Sequence, residues 1–80
     1  MKARVIVTLK SAVLDPQGKA IEGALRSLGV AGVQSVRQGK VFDVELAGND
    51  RDAAEGVLKD ACDKLLANTV IETYRIEFAE

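Results

Sequence analysis

The chain has 80 residues, 48% hydrophobic and 29% charged, a composition typical of soluble globular domains and far from disordered or collagen-like chains. Its 11 Lys+Arg and 12 Asp+Glu are spread evenly and leave a formal charge of −1, which excludes both the footprint of a nucleic-acid binder and a polybasic membrane patch. With one cysteine, Cys62, and no histidine, neither an intramolecular disulfide nor a Cys/His zinc site can form.

A chain this short hides only about 60% of its unfolded surface, so its own core is marginal without a disulfide, a metal or a partner. With the first two excluded, association with other chains is the expectation, built on a single domain spanning residues 1–80. The opening MKARVIVTLK is interrupted by polar residues too often for a signal-peptide core, and no apolar run reaches membrane-spanning length. A cytoplasmic location is therefore expected.

ARVIVTLK, residues 3–10, alternates Val5, Val7 and Leu9 with Arg4, Thr8 and Lys10, the period of a half-buried strand. Ile6 breaks the alternation. Asp15 then suits an N-cap and Pro16 the first helical position, where a missing N–H is harmless. Ile21, Ala24, Leu25 and Leu28 follow at helical spacing, and Gly29 supplies the left-handed stop. Inside this helix Gly18 and Gly23 each cost roughly 1 kcal/mol against alanine. That cost suggests that another backbone comes close, a sheet beneath the helix at Gly23 and a partner at Gly18.

Residues 33–46 read as strand, strongest over Phe42, Val44 and Leu46, and two arrangements stay open. A hairpin turning at Gln38-Gly39 pairs Val36 with Val41 but sets Arg37 against Lys40. One bent strand with a bulge at Gly39 avoids that repulsion. A second helix starts from Asn49 or Asp50, carries Ala54, Val57, Leu58, Ala61 and Leu65 as its apolar stripe, and closes at Asn68. VIETYRIEF, residues 70–78, alternates Tyr74, Ile76 and Phe78 with Thr73, Arg75 and Glu77 as a final strand.

This order predicts a ferredoxin-like βαββαβ α+β sandwich, with two helices on one face of an antiparallel sheet. The other face is left bare, and Ile6, Val41 and Ile71 fall out of register with their neighbours as candidates for contact between subunits through the sheet.

Catalytic chemistry finds little to work with. Cys62 lies beside Asp60 and Asp63, which raise a thiol pKa. Asp15-Pro16-Gln17-Gly18-Lys19 runs into a helix N-terminus but has no phosphate-loop spacing, and Asp15 repels an anion. The pairs Asp43/Glu45 and Asp50/Asp52 suit solvated surfaces. A nucleobase-stacking platform is contradicted by 4% aromatics and the acidic KVFDVEL strand. An acylphosphatase-type anion cradle after the first strand needs an arginine that Lys10-Ser11-Ala12-Val13 does not supply. No catalytic, cofactor-binding or metal residue is assigned.

Three segments carry a family resemblance: TLKSAVLDPQG at residues 8–18, AIEGALRSLG to Gly29, and VRQGKVFDVEL at residues 36–46. In this order and spacing, and with the closing YRIE, the whole chain resembles the PurS family, the small subunit of multi-subunit phosphoribosylformylglycinamidine (FGAM) synthase. The resemblance implies a non-catalytic member of a purine-biosynthesis ligase that forms homodimers or homotetramers and bridges a glutaminase subunit and a synthetase subunit. It would support ammonia channelling between them, and it would bind no cofactor itself, ATP and Mg being used by the synthetase subunit. Under that reading Asp15, Pro16, Gln17, Gly18, Arg37, Gln38, Gly39 and Lys40, which the fold pattern leaves without a role, are expected to contact partners. The plainer alternative makes them a helix cap and a strand bend. A different class of function is a free-standing ACT-like module that binds a small effector at a dimer interface; such modules usually carry a glycine loop after the first strand, where this chain has SAVLDP.

Overall fold

The computed structural model describes residues 1–79. It has β1 (Lys2–Leu9), α1 (Pro16–Ser27), β2 (Gly39–Glu45), α2 (Arg51–Ala61), a π-helical turn (Cys62–Leu66) and β3 (Glu72–Ala79). The three strands form one antiparallel sheet in the order β2-β1-β3, so the ferredoxin-like strand and helix order stands. Residues 33–46 give one strand, which starts at Gly39 opposite Thr8 and runs in unbroken register to Glu45 opposite Lys2. Neither the hairpin nor the bulge forms. The preceding backbone N–H groups of Val36 and Gln38 are taken by the carboxylates of Glu22 and Asp15 instead of a neighbouring strand.

The alternation along each strand sorts the sheet into two faces. Ala3, Val5 and Val7 are buried, with Val44 and Phe42 across from Ala3 and Val5 on β2, and Phe78, Ile76 and Tyr74 across from all three on β3. Against them pack Leu58, Cys62, Ala67 and Leu66 from α2 and the chain beyond it. The opposite face is a ladder of charge. Lys2–Glu45, Arg4–Asp43 and Arg75–Glu77 lie at 3.9, 2.9 and 3.4 Å, and Ile6 pairs with Val41 among them. Asp43 holds the Arg4 guanidinium more firmly protonated than usual through its hydrogen bond and charge.

Asp50 caps α2 by accepting the Ala53 N–H at 3.2 Å. The apolar stripe differs from the sequence reading: Val57 and Leu65 are exposed, Leu65 by 83%. Ala54, Leu58 and Cys62, four residues apart, are buried, and Leu58 and Cys62 join the core of the sheet. At Cys62 the helix widens to a π turn, closed by the Ala67 N–H on the Cys62 carbonyl at 3.0 Å. The wider turn delays the rotation, so Leu66 swings onto the core and Leu65 away from it. Asn68 then organises the chain reversal, its carbonyl accepting the Ile71 and Glu72 N–H groups and its side chain the Val70 N–H.

α1 contributes no residue to this core. Its turns form as expected, with Asp15 as N-cap, Pro16 at the start and Gly29 at φ +79° beyond its end. Yet Ile21 and Leu28 on its apolar stripe are exposed, Leu28 by 78%, as are Val30 and Val33 in the following loop. The described chain measures 48 × 28 × 14 Å, with a radius of gyration of 15.9 Å. A compact chain of this length would have a radius of gyration of about 12 Å.

The glycines of α1 are also reversed from expectation. A Cβ at Gly23 would meet nothing within 4 Å, so no sheet lies beneath it. A Cβ at Gly18 would collide with the Val36 carbonyl and sit 2.8 Å from Asp15 Oδ2, so the close approach at Gly18 comes from this chain's own return segment and not from a partner. We therefore expect Gly18→Ala to lose about 1–3 kcal/mol by forced overpacking, and Gly23→Ala to gain up to about 1 kcal/mol in helix propensity. Urea unfolding of the two variants measures both; equal effects would contradict the packing described.

Candidate functional site

The two segments singled out by the sequence meet in space. α1 carries a polar stripe, Asp15, Gly18 and Glu22, at spacings of three and four residues, and all three are buried against residues 36–38. Asp15 Oδ1 accepts the Gly18 N–H at 2.9 Å, and Oδ2 accepts the Gln38 N–H at 2.6 Å. Glu22 Oε2 accepts the Val36 N–H at 3.0 Å, with the Lys19 ammonium 3.7 Å from its other oxygen. On the other side of this segment Arg37 Nη2 donates to the Lys10 carbonyl at 2.9 Å.

Gly39 is required where the segment enters the sheet. A Cβ there would lie 2.6 Å from the Val7 carbonyl oxygen and 2.9 Å from Thr8 Cγ2. Lys40 follows on the core side and pairs with Glu72 at 3.6 Å. Asp15 keeps the N-cap role expected of it and adds the bond to Gln38, while Gly18 and Gly39 are required by close approaches of the chain's own backbone that the sequence reading did not foresee. The side chains of Pro16, Gln17, Arg37, Gln38 and Lys40 form the exposed surface around this knot. Glu22 went unnoticed in the sequence, although its place seven residues after Asp15 puts it on the same helical face as the cap.

The electrostatics of the knot are those of a structural carboxylate. The Gly18 N–H first, then the Gln38 N–H and the charge of Arg37, hold the Asp15 carboxyl below the usual carboxylate range. Pro16 has no N–H and Asp15 accepts that of Gly18, so a carboxylate already sits where a phosphate would lie at this helix N-terminus. Burial, then the charge of Asp63, pushes the Cys62 thiol up, away from a reactive thiolate. Among the described residues no group of three or more Cys, Asp or Glu side chains is placed to hold a metal. No helix among the described residues is long and apolar enough to cross a membrane.

A depressed carboxyl pKa contributes stability that is present above the unfolded value of about 3.9 and is lost as pH falls from there toward the folded pKa. Asp15→Asn keeps a capping oxygen for Gly18 but turns an amide toward the Gln38 N–H. We expect Asp15→Asn to lower the urea midpoint near neutral pH, and its deficit against wild type to shrink as the medium is acidified through that window. A deficit independent of pH would remove the carboxylate from the account.

Residues 2–80 match the family model PurS, described as phosphoribosylformylglycinamidine (FGAM) synthase. The PurS subunit of that synthase from Bacillus subtilis is 49% identical over 79 residues, 99% of this chain and 93% of the relative. The Archaeoglobus fulgidus subunit is 42% identical over the full length of both. Among solved structures, a C2 crystal form of Bacillus subtilis PurS superposes with a TM-score of 0.87, at 49% identity and over 99% of this chain and 98% of the other. The Thermotoga maritima PurLQS structure contains a chain that superposes with a TM-score of 0.88, at 34% identity and over 95% and 93%. A DPQG-capped helix tied to a VRQGK segment and full-length similarity to these subunits lead to one conclusion: the chain belongs to the PurS family.

Proposed function

We propose that this chain is the non-catalytic assembly subunit of an FGAM synthase, joining a glutaminase subunit to an ATP-using synthetase subunit. The observation that carries the reading is the full-length likeness to a chain of the Thermotoga maritima PurLQS structure. In the reaction, ammonia freed from glutamine converts formylglycinamide ribonucleotide to the amidine, with ATP giving ADP and phosphate. Ammonia released into water is largely protonated and loses its nucleophilicity, so holding the two sites together and shielding the path has a physical rationale. This chain contributes surface to that arrangement, and the nucleotide and its Mg are handled by the synthetase subunit.

In this reading the exposed side chains of Pro16, Gln17, Arg37, Gln38 and Lys40 contact the partner subunits, while Asp15, Gly18 and Gly39 shape the backbone that presents them. The apolar flank of α1 serves self-association. Leu14, Ile21, Leu28, Val30 and Val33 are exposed on and beside a helix that has no seat on its own sheet, and a second copy covers them.

Mixed with glutaminase and synthetase subunits, the protein should switch on glutamine-dependent FGAM formation; full glutamine-dependent activity in its absence would leave the bridging role empty. In sedimentation the isolated chain should run well above its 8.5 kDa monomer mass, and Leu28→Asp should shift it toward the monomer, since a charge at the flank has no partner when buried. A monomeric wild type would contradict the second-copy reading.

A further inference from the structure

At the end of β1 the chain makes a tight turn, with the Val13 N–H donating to the Lys10 carbonyl at 2.9 Å. Ser11 and Ala12 are its central residues, and their amide N–H groups find no acceptor among the described residues. The same Lys10 carbonyl accepts from Arg37 Nη2, which fixes a guanidinium beside the turn. An arginine absent from the local sequence thus arrives from 27 residues away.

Thr8, Leu9, Lys10, Ser11, Ala12, Arg37 and Thr73 line a shallow depression of about 750 Å³ at this end of the sheet, and no carboxylate lines it. Thr8 and Thr73 pair across β1 and β3 on the face away from α2, with their hydroxyl oxygens 3.4 Å apart. Lys2, Arg4, Lys40 and Arg75 on the sheet each have a carboxylate within 4 Å, whereas Lys10 and Arg37 form no ion pair with a described residue. Arg37 lies near enough to Asp15 to favour its ionised form, but both Asp15 oxygens already accept backbone N–H groups.

We propose that this depression binds a phosphate group, held by the Ser11 and Ala12 N–H groups, the Thr8, Ser11 and Thr73 hydroxyls, and the cations Lys10 and Arg37. Successive free N–H groups form an anion-binding concavity, and charge-assisted bonds from Arg and Lys are the stronger ones. Donors approaching from a turn, a strand pair and a guanidinium suit the oxygens of a tetrahedral group better than the two coplanar oxygens of a carboxylate. The site goes beyond the assembly role, and because that role also assigns Arg37 to a partner contact, the site is tested on the isolated chain, where the Arg37 side chain is exposed.

The test is to titrate the full chain with inorganic phosphate, with ribose 5-phosphate and with acetate, at constant ionic strength because exposed charges are screened by salt. The amide resonances are followed by two-dimensional NMR. Saturable shifts at Ser11, Ala12, Arg37 and Thr73 with either phosphate compound support the site; a response to ribose 5-phosphate alone makes a phosphate monoester its ligand, and a response to both makes the bare group sufficient. Lys10→Gln/Arg37→Gln should weaken binding roughly tenfold or more, since it removes two charge-assisted contacts. Lys10→Gln alone, which leaves the Arg37 hydrogen bond in place, should weaken it in part and guards against loss of the fold. Absence of saturable shifts, equal binding of acetate, or unaltered binding in the double variant would overturn the proposal.

Discussion

One carboxylate decides where the first helix goes. Asp15 accepts an N–H from its own helix and another from residue 38, across α1 and its return loop, and two turns on Glu22 accepts the Val36 N–H. Hydrogen bonds to buried carboxylates are directional, so they set the angle of α1 to the return segment in a way that apolar contact would not. The backbone approach they enforce leaves no room for a side chain at position 18, and it delivers the chain to β2 at a point where only glycine clears the Val7 carbonyl. Cap, helix, return segment and strand entry form one mechanical unit.

The consequence is a division of labour within a small chain. The sheet and α2 share a single core, closed by Val5, Val7, Leu58 and Cys62, which are almost wholly buried. α1 is tethered beside that core with its apolar residues outward. The open face of the sheet carries paired charges that contribute little each in water but favour the correct strand partners and keep the face wettable. An 80-residue chain that leaves Leu28, Val30 and Val33 in solvent has stability still to gain by association, which is the physical ground for reading it as a component of an assembly.

Most of the local structure was legible in the sequence because local signals and tertiary structure agree: Asp15-Pro16 opens α1, Gly29 ends it, Asp50 caps α2, and the alternation of Val5 and Val7 matches that of Tyr74, Ile76 and Phe78. What escaped was non-local. The β-rich composition of residues 33–38 suggested a strand, but two carboxylates from α1 took the N–H groups a ladder would have used. Leu65 kept perfect helical spacing and still faces solvent, because a π turn shifted the phase by one residue. Gly23 looked like a packing glycine and is not, since helical spacing alone does not say whether a face meets anything. At the candidate site the segments around Asp15 and Arg37 were legible, whereas their mutual contact, the part played by Glu22 and the placement of Arg37 beside Lys10 arise only when the chain folds.

The central claim is that hydrogen bonds accepted by the Asp15 carboxylate, and not burial in the subunit core, hold α1 in place. Native-state hydrogen exchange on wild type and Asp15→Ala tests it residue by residue. The account predicts lost protection for the amides of residues 18–28 and 36–38, with β1 and β3 keeping theirs. Equal loss across α1 and the sheet, or no loss in either, would contradict it.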